Sequence, residues 1–148
     1  MAKQSDYCAE LYVAGKLADA GWNVYFPHRD RGFDFIISKR VGDSVVIRPV
    51  QVKGKFPTDA KTNKTTYGHV GRLSEVHPGM VLAIAFFDAG YSEPVPSHIA
   101  FMPYAQLRRH KRGWRCQPAA FKNSKSMPRR EYKRFFDNEG IGLLESSE

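Results

Sequence analysis

The chain has 148 residues, of which 42% are hydrophobic and 26% charged, and this suits a single globular domain, 1–148, with a sizeable core. Its longest apolar run, 80–87, is too short to span a bilayer, and its first residues lack the apolar stretch of a signal peptide. Its two cysteines lack the paired spacing of a zinc site or a disulfide framework, so we expect a cytoplasmic protein with reduced thiols and no membrane partner.

The formal net charge of +8 is unevenly distributed along the chain. Eleven Lys or Arg residues and one acid, Glu131, lie between Arg108 and Arg134, inside a basic C-terminal segment that spans 104–138. The rest of the chain keeps twelve of the 23 basic residues and fourteen of the 15 acidic residues, so it is close to balance. Such a segment favours a polyanion partner, with nucleic acid the first candidate, but a solvated basic face that only aids solubility has the same composition.

The first predicted element is a helix over Ser5–Ala20, for which Gly21 is a plausible end. Its small and apolar side chains form one stripe, composed of Tyr7, Leu11, Ala14 and Ala18. A helix with such a stripe is expected to pack on a sheet.

Three strands are predicted to follow, over Trp22–Phe26, Phe33–Ser38 and Ser44–Lys53. The tight turn at 41–43 joins the last two strands as an antiparallel hairpin. Pro49 removes one N–H from the ladder, which predicts a bulge or an edge position in the third strand. Residues 56–69 are polar and are predicted to form an irregular loop.

The second half of the chain is predicted to contain two more strands and two helices. The strands are Met80–Asp88, which is apolar enough to be central, and Ser97–Met102. The helices are a short basic one over Tyr104–His110 and a final one over Pro128–Asn138. The order of elements predicts an α/β fold in which helices flank a mixed sheet.

The ends of the final helix are suggested by three residues. Ser126 is a possible cap, and Pro128 suits the first turn. Gly140 is expected to end the helix, and the tail beyond it is expected to be frayed.

Polar side chains in the predicted hairpin point to a site. Gln51 and Lys53 are two residues apart on a strand and therefore share a face. In the partner strand, Asp34 faces away from its apolar neighbours, and the register through the turn can bring it beside Gln51 and Lys53. Glu10 borders the apolar stripe of the first helix, so it can face the same corner.

These residue types are suited to metal-assisted hydrolysis. A carboxylate that faces a core is unfavourable unless it is paired or binds a cation. Mg²⁺ prefers hard oxygen ligands and keeps several waters, and Asp34 and Gln51 supply a charged and a neutral oxygen. Lys53 can orient or help to deprotonate an attacking water and can stabilise charge on a phosphate.

Together, Glu10, the Asp34 of "GFDFII" and the run "QVK" at 51–53 resemble the PD-(D/E)XK nuclease superfamily, over roughly the first 55 residues. Members include archaeal Holliday junction resolvases and small homing and restriction endonucleases. The resemblance implies a restriction-endonuclease-like fold and Mg²⁺-dependent hydrolysis of phosphodiester bonds in double-stranded or branched DNA, with Mn²⁺ able to substitute for Mg²⁺. It also points to a homodimer, whose two sites would cut both strands of a duplex.

The resemblance also assigns roles to the residues of the motif. It implies a metal bound by Asp34, Gln51 and the main-chain carbonyl of Val52, with Glu10 bound directly or through water and Lys53 serving the nucleophilic water. The chain departs from the signature in two places. Phe33 replaces the Pro, and Gln51 replaces an acid, which removes one negative charge from the metal site. The alternative is therefore a catalytically inactive nucleic-acid-binding module of the same fold.

Further candidates are contacts to DNA, each with an ordinary structural alternative. Arg29 and Arg31 can contact phosphate or belong to a plain polar turn, and Arg72 follows the irregular loop. Lys55 can bind DNA or be a solvated strand end. The candidates in the basic segment are Arg108, Arg109, Lys111 and Arg112. Trp114 can stack on a base, but it is more often a buried anchor.

Overall fold

The structure is a computed structural model, and it describes residues 4–29, 32–56, 69–71, 73, 75–88, 95–111, 113–123 and 125–146. In chain order its helices and strands are α1 (Gln4–Asp19), β1 (Asn23–Tyr25), β2 (Phe35–Val41), β3 (Ser44–Lys55), β4 (His69–Gly71), β5 (Val81–Phe87), β6 (Pro96–Pro103), β7 (Arg108–His110), β8 (Gly113–Arg115), β9 (Ala119–Lys122), β10 (Lys125–Pro128) and α2 (Asp137–Leu143). Two 3₁₀ helices, Tyr104–Gln106 and Arg130–Phe135, complete the described elements. Among the described helices, none is long and apolar enough to cross a membrane.

A five-stranded mixed sheet lies at the centre of this α/β fold, with the strand order β1-β2-β3-β5-β6. β3 runs parallel to β5, and the other neighbours are antiparallel, so the predicted β2–β3 hairpin is confirmed. β3 is an interior strand, but its pairing with β5 begins at Val50. Pro49 therefore lies where the described registers pair β3 with β2 only, and its missing N–H removes no rung of the β3–β5 ladder.

The two faces of the sheet carry separate hydrophobic clusters. One face, with Val50 and Val52, is covered by α1 and by the end of α2. The opposite face, with Leu82, Ile84 and Phe86, is covered by the short strands and the 3₁₀ helices of the C-terminal half. A residue of β3 therefore faces one side of the sheet or the other according to its parity.

The buried stripe of α1 differs from the predicted one. Its buried side chains are Ala9, Val13, Ala14 and Leu17, whereas Tyr7, Leu11 and Ala18 are exposed. The side of α1 that faces the sheet carries Ala9, and a Cβ atom placed at Gly54 of β3 would be in ordinary contact with the Cβ of Ala9, at 3.7 Å. Val13 and Leu17 are buried in the first cluster on this side, so Tyr7 and Leu11 face outward.

The predicted basic helix over Tyr104–His110 is wrong beyond its first turn. The 3₁₀ helix ends at Gln106, Leu107 is buried, and the chain continues as β7. β7 pairs with β8, and β8 pairs with β4, so part of the basic segment lies on a three-stranded sheet. The burial of Leu107 in the second cluster stops the helix before its basic residues.

The predicted final helix is replaced by two shorter helices, a 3₁₀ helix and α2. Ser126 lies within β10 instead of capping a helix, and a 3₁₀ helix precedes the shorter α2. Gly140 is buried inside α2 and does not end it. Glycine is needed there for another reason, because a Cβ would overlap the backbone of Phe135. The tail is docked and not frayed as far as Ser146, since Leu144 is buried and Arg48 donates to the carbonyls of Leu144, at 2.7 Å, and of Ser146.

Candidate active site where two strands diverge

The candidate site begins where β2 and β3 separate. Their ladder ends with the pair Phe35 and Val50, and the N–H of Asp34 donates to the carbonyl of Val50 at 2.9 Å. Asp34 lies just before β2, not inside it as predicted, and Gly32, with φ +121, turns the chain away from the sheet. Phe33 consequently packs into the second cluster and does not share a face with Phe35.

Beyond Val50, β3 has no backbone partner from β2, and the side chain of Asp34 takes that place. Its Oδ2 accepts the N–H of Val52 at 2.6 Å, and Nε2 of Gln51 lies 3.5 Å from the same oxygen. The N–H and C=O of one strand residue face the same neighbour, so the carbonyl of Val52 is directed to the same gap. Asp34, Gln51 and Val52 are therefore brought together, as the resemblance requires.

Gln51 contributes an unusual acceptor to this gap. Its Oε1 is buried and has no hydrogen-bond partner in the part of the chain that the structure describes. Most buried polar side-chain atoms in proteins have a partner, and an unpaired one is destabilising. This oxygen is therefore suited to a water or a cation that enters the gap.

Two lysines follow Gln51 on the same face of β3. Lys53 lies beside Ile84 of β5, and Lys55 lies beside Phe86. Burial lowers the pKa of Lys55, and the charge of Lys53 lowers it further. Two adjacent ammonium groups, one of them partly desolvated, form a surface on which an anion is favourable.

Glu10 approaches β3 from the other face of the sheet. It is half-buried and directly follows Ala9, which packs beside Gly54, so it lies at the carboxyl end of β3. This is the face of Val52, opposite to that of Gln51 and Lys53. The helix that carries Glu10 packs on that face, and the predicted approach of Glu10 to the corner of Gln51 and Lys53 stays a prediction.

The oxygen donors at the gap fit a hard divalent cation. They are the carboxylate of Asp34, the amide oxygen of Gln51 and the carbonyl of Val52, and Mg²⁺ needs few protein ligands because it keeps several waters. The amide of Gln51 would have to turn, because its nitrogen and not its oxygen now faces Asp34. Within the described ranges, no three His, Cys, Asp or Glu side chains are grouped to hold a metal, so any cation here depends on neutral donors.

The described arginines and lysines among the other predicted DNA contacts lie in two places, after β1 and on the β7–β8 hairpin. Arg29 is exposed in the segment after β1, and Arg108, Arg109 and Lys111 are exposed on the β7–β8 hairpin. Trp114 of β8 is half-buried, with its ring 5.8 Å from that of Tyr104 and 5.6 Å from the guanidinium of Arg109. These contacts favour the anchoring interpretation of Trp114. Arg31, Arg72 and Arg112 lie outside the described residues.

Sequence reasoning missed a polar cluster at the carboxyl end of β5. Asp88 Oδ1 accepts the hydroxyl of Ser97 at 2.9 Å and the N–H of Ser126 at 2.8 Å. The two serine hydroxyls are themselves 2.6 Å apart. No local pattern could have revealed this cluster, because its members lie 9 to 38 residues apart in the chain.

Comparison with known proteins gives no independent assignment. No protein-family model matches this chain. No curated protein sequence matches it either.

Proposed function

We propose that this protein is a Mg²⁺-dependent DNA endonuclease with a restriction-endonuclease-like fold. The observation that carries the proposal is the meeting of Asp34, Gln51 and Val52 at the end of a strand ladder, next to Lys53. The buried oxygen of Gln51 has no hydrogen-bond partner among the described residues, and this supports a cation there, because a cation would satisfy it.

Each residue has a distinct task in this mechanism. Asp34 supplies the negative charge that holds the cation, while Gln51 and the carbonyl of Val52 supply neutral oxygens. Bound Mg²⁺ would supply Lewis-acid activation of water and of the phosphate. Lys53 orients the attacking water and stabilises the charge that develops on the phosphate, and Glu10 holds water from the other face.

The cationic surface supports DNA as the substrate. The +8 net charge, the Lys53–Lys55 pair and the exposed basic residues of the β7–β8 hairpin all favour a polyanion. Phosphate contacts of this kind hold a duplex without reading its sequence.

A specific observation also favours the second candidate, a nucleic-acid-binding module without cleavage. Asp34 Oδ2 is already an acceptor for Val52 and Gln51, so its carboxylate has a structural role that does not require a metal. The two candidates predict different behaviour for one pair of variants.

The variants Asp34→Asn and Asp34→Ala separate the negative charge of Asp34 from its hydrogen bond to Val52. Asn keeps an oxygen for the N–H of Val52 but removes the charge, whereas Ala leaves that N–H unpaired at about 1–3 kcal/mol of stability. For an endonuclease, Asn should abolish cleavage of supercoiled, linear and branched DNA in Mg²⁺ while the melting temperature and DNA binding persist. Ala should lose cleavage and stability together.

The control is the wild-type protein with Mg²⁺, with Mn²⁺ and with a chelator. Wild-type cleavage that disappears with the chelator and with Asp34→Asn supports the endonuclease. Wild-type protein that binds DNA but leaves every substrate intact in both metals would instead establish the binding module.

A further inference from the structure

A second basic surface lies on the opposite side of β5 from the candidate active site. It is a cleft of about 630 Å³ between the start of β6, β10 and the second 3₁₀ helix, lined by His98, Ser126, Met127, Pro128, Arg130 and Lys133. Arg130 and Lys133 are exposed, and no carboxylate lines the cleft among the described residues. A cleft with this lining favours an anion.

The carboxylates near the cleft are already engaged. Asp88 accepts hydrogen bonds from Ser97 and from the backbone of Ser126. Asp137 accepts the N–H of Ile99 at 3.0 Å, and its other oxygen lies 3.2 Å from Nδ1 of His98. Glu131 shares a separate hollow with Arg130 and Arg134. The positive charge that faces the cleft is therefore only partly offset.

The cleft is held in a fixed position relative to β5. Ser126 is buried, its hydroxyl lies 2.6 Å from that of Ser97, and its N–H donates to Asp88 at 2.8 Å. The Ser97 hydroxyl also lies 3.2 Å from the carbonyl oxygen of Phe86. β10 is thus attached to the carboxyl end of the same strand that pairs with β3.

The sheet register relates the cleft to the candidate active site. Lys55 of β3 pairs with Phe86 of β5, and Phe86 pairs with His98 of β6. The three residues form one row across three strands, so Lys55 and His98 are two strand spacings apart, or about 10 Å. Phe86 is buried between them against Phe121 and Phe136, so DNA that contacts both ends of the row would pass around this cluster.

We propose that this cleft binds a backbone phosphate of the DNA, as a second contact beyond the one expected at Lys53 and Lys55. The proposal rests on DNA as the substrate, and it places the second contact on the β6 side of the sheet. The cleft is a positioning surface, since it fixes the strand and does not touch the reacting atoms.

The first test measures the dependence of DNA affinity on salt. Arg130→Ala combined with Lys133→Ala should weaken binding of a short duplex about tenfold and reduce the slope of log affinity against log salt by about 0.9 for each lost contact. Arg40→Glu is the matched control, because it makes the same change of two in net charge on the β2–β3 hairpin, and it should leave the slope nearly unchanged.

The second test locates the contact on the DNA. Single neutral methylphosphonates are placed along one strand of a branched DNA, whose junction fixes the register of binding, and the loss of affinity at each position is measured by fluorescence anisotropy. With wild-type protein, a methylphosphonate at the phosphate that the cleft binds should weaken DNA binding. In the Arg130→Ala, Lys133→Ala variant, the effect at this one position should vanish, while the effects at other positions remain. Arg108→Ala with Lys111→Ala, on the β7–β8 hairpin, should remove sensitivity at different positions.

The outcomes separate this proposal from the proposed function. Identical methylphosphonate profiles in wild type and in the cleft variant overturn the cleft while leaving DNA binding and cleavage in place. Binding of inorganic phosphate to the cleft, seen by NMR, with no effect of the variant on DNA would assign it to small anions and also overturn the proposal. Wild-type protein that binds no DNA contradicts both proposals.

Discussion

At the scale of single residues, the amide of Gln51 is the most informative group of the candidate site. Its nitrogen faces the Asp34 carboxylate and its buried oxygen has no described partner, so the amide presents its donor side to Asp34. A cation would reverse this preference, because it attracts the amide oxygen and Oδ2 of Asp34 together. Metal binding is therefore expected to be coupled to rotation of one side chain.

Gln51→Glu tests this coupling. It places a second carboxylate beside Asp34, and two close carboxylates repel unless one is protonated or a cation lies between them. The variant should melt at a lower temperature than wild type without metal, regain the difference in Mg²⁺, and keep cleavage activity. Thermal shift with and without Mg²⁺ measures this.

Asn138→Asp is the control, since it adds the same charge at an exposed position of α2. An equal response of both variants to Mg²⁺ would argue against a cation at Gln51.

Lys55 provides a second prediction at this scale. Its pKa is lowered by burial and by Lys53, so its ammonium should lose its proton at a lower pH than in the unfolded chain. Because the unfolded state then binds more protons, the contribution of Lys55 to stability rises with pH up to the unfolded pKa. Acylation of Lys55 as a function of pH, followed by mass spectrometry, should have a midpoint below the usual lysine value.

Lys53→Met should move that midpoint upward, because it removes the neighbouring charge, and bound DNA should do the same. Lys111→Met serves as the control and should leave it unchanged. A midpoint that does not respond to Lys53→Met would mean that burial alone sets the pKa.

The sequence was sufficient to predict part of this site. Strand alternation and the short turn at 41–43 were enough to bring Asp34 beside Gln51. The buried oxygen of Gln51, without a partner among the described residues, and the lowered pKa of Lys55 were not predictable, because both depend on desolvation by elements that pack from elsewhere in the chain.

At the scale of elements, α1, β1 and the hairpin follow local patterns, whereas the C-terminal strands do not. β7, β8 and β10 have only three or four residues, too few for a periodic signal. β8 is paired with β4 through His69 and Arg115, which are far apart in the sequence. A strand pairing between residues so far apart in the sequence cannot be predicted from the local pattern of hydrophobic residues.

The contact between α2 and the preceding 3₁₀ helix yields a prediction. Gly140→Ala should lower the free energy of unfolding by about 3 kcal/mol or more, because its Cβ would overlap the backbone of Phe135. Gly142→Ala is the matched control in the same helix, and it meets no atom within 4 Å. It should stabilise by about 0.5–1 kcal/mol through helix propensity.

Urea denaturation of the two variants measures the difference. Equal stability of both would mean that α2 shifts easily against the 3₁₀ helix and that its close approach is not required.

At the scale of the whole molecule, the predicted homodimer can be related to one exposed surface. Four apolar side chains lie on one face of β1, β2 and β3, opposite α1, and are 40–62% exposed: Tyr25, Ile36, Val45 and Ile47. A two-fold axis through this face would bury the same residues from both copies.

Light scattering should give the mass of a dimer for the wild-type protein, and Ile47→Glu should reduce it to that of a monomer. Val76→Glu, at another exposed apolar position outside this face, should leave the dimer intact. A monomeric wild type, with and without DNA, would show the homodimer prediction to be wrong.

Arg48 has a consequence for the order of events during synthesis. Its guanidinium is buried, and its nitrogens donate to the carbonyls of Gly79, Leu144 and Ser146. A nascent chain that has not yet reached Ser146 has no acceptors for two of these nitrogens, so β3 cannot bury the cation at its native depth. The sheet is therefore expected to reach its final packing only after residue 146 has left the ribosome, even though most of its strands emerge much earlier.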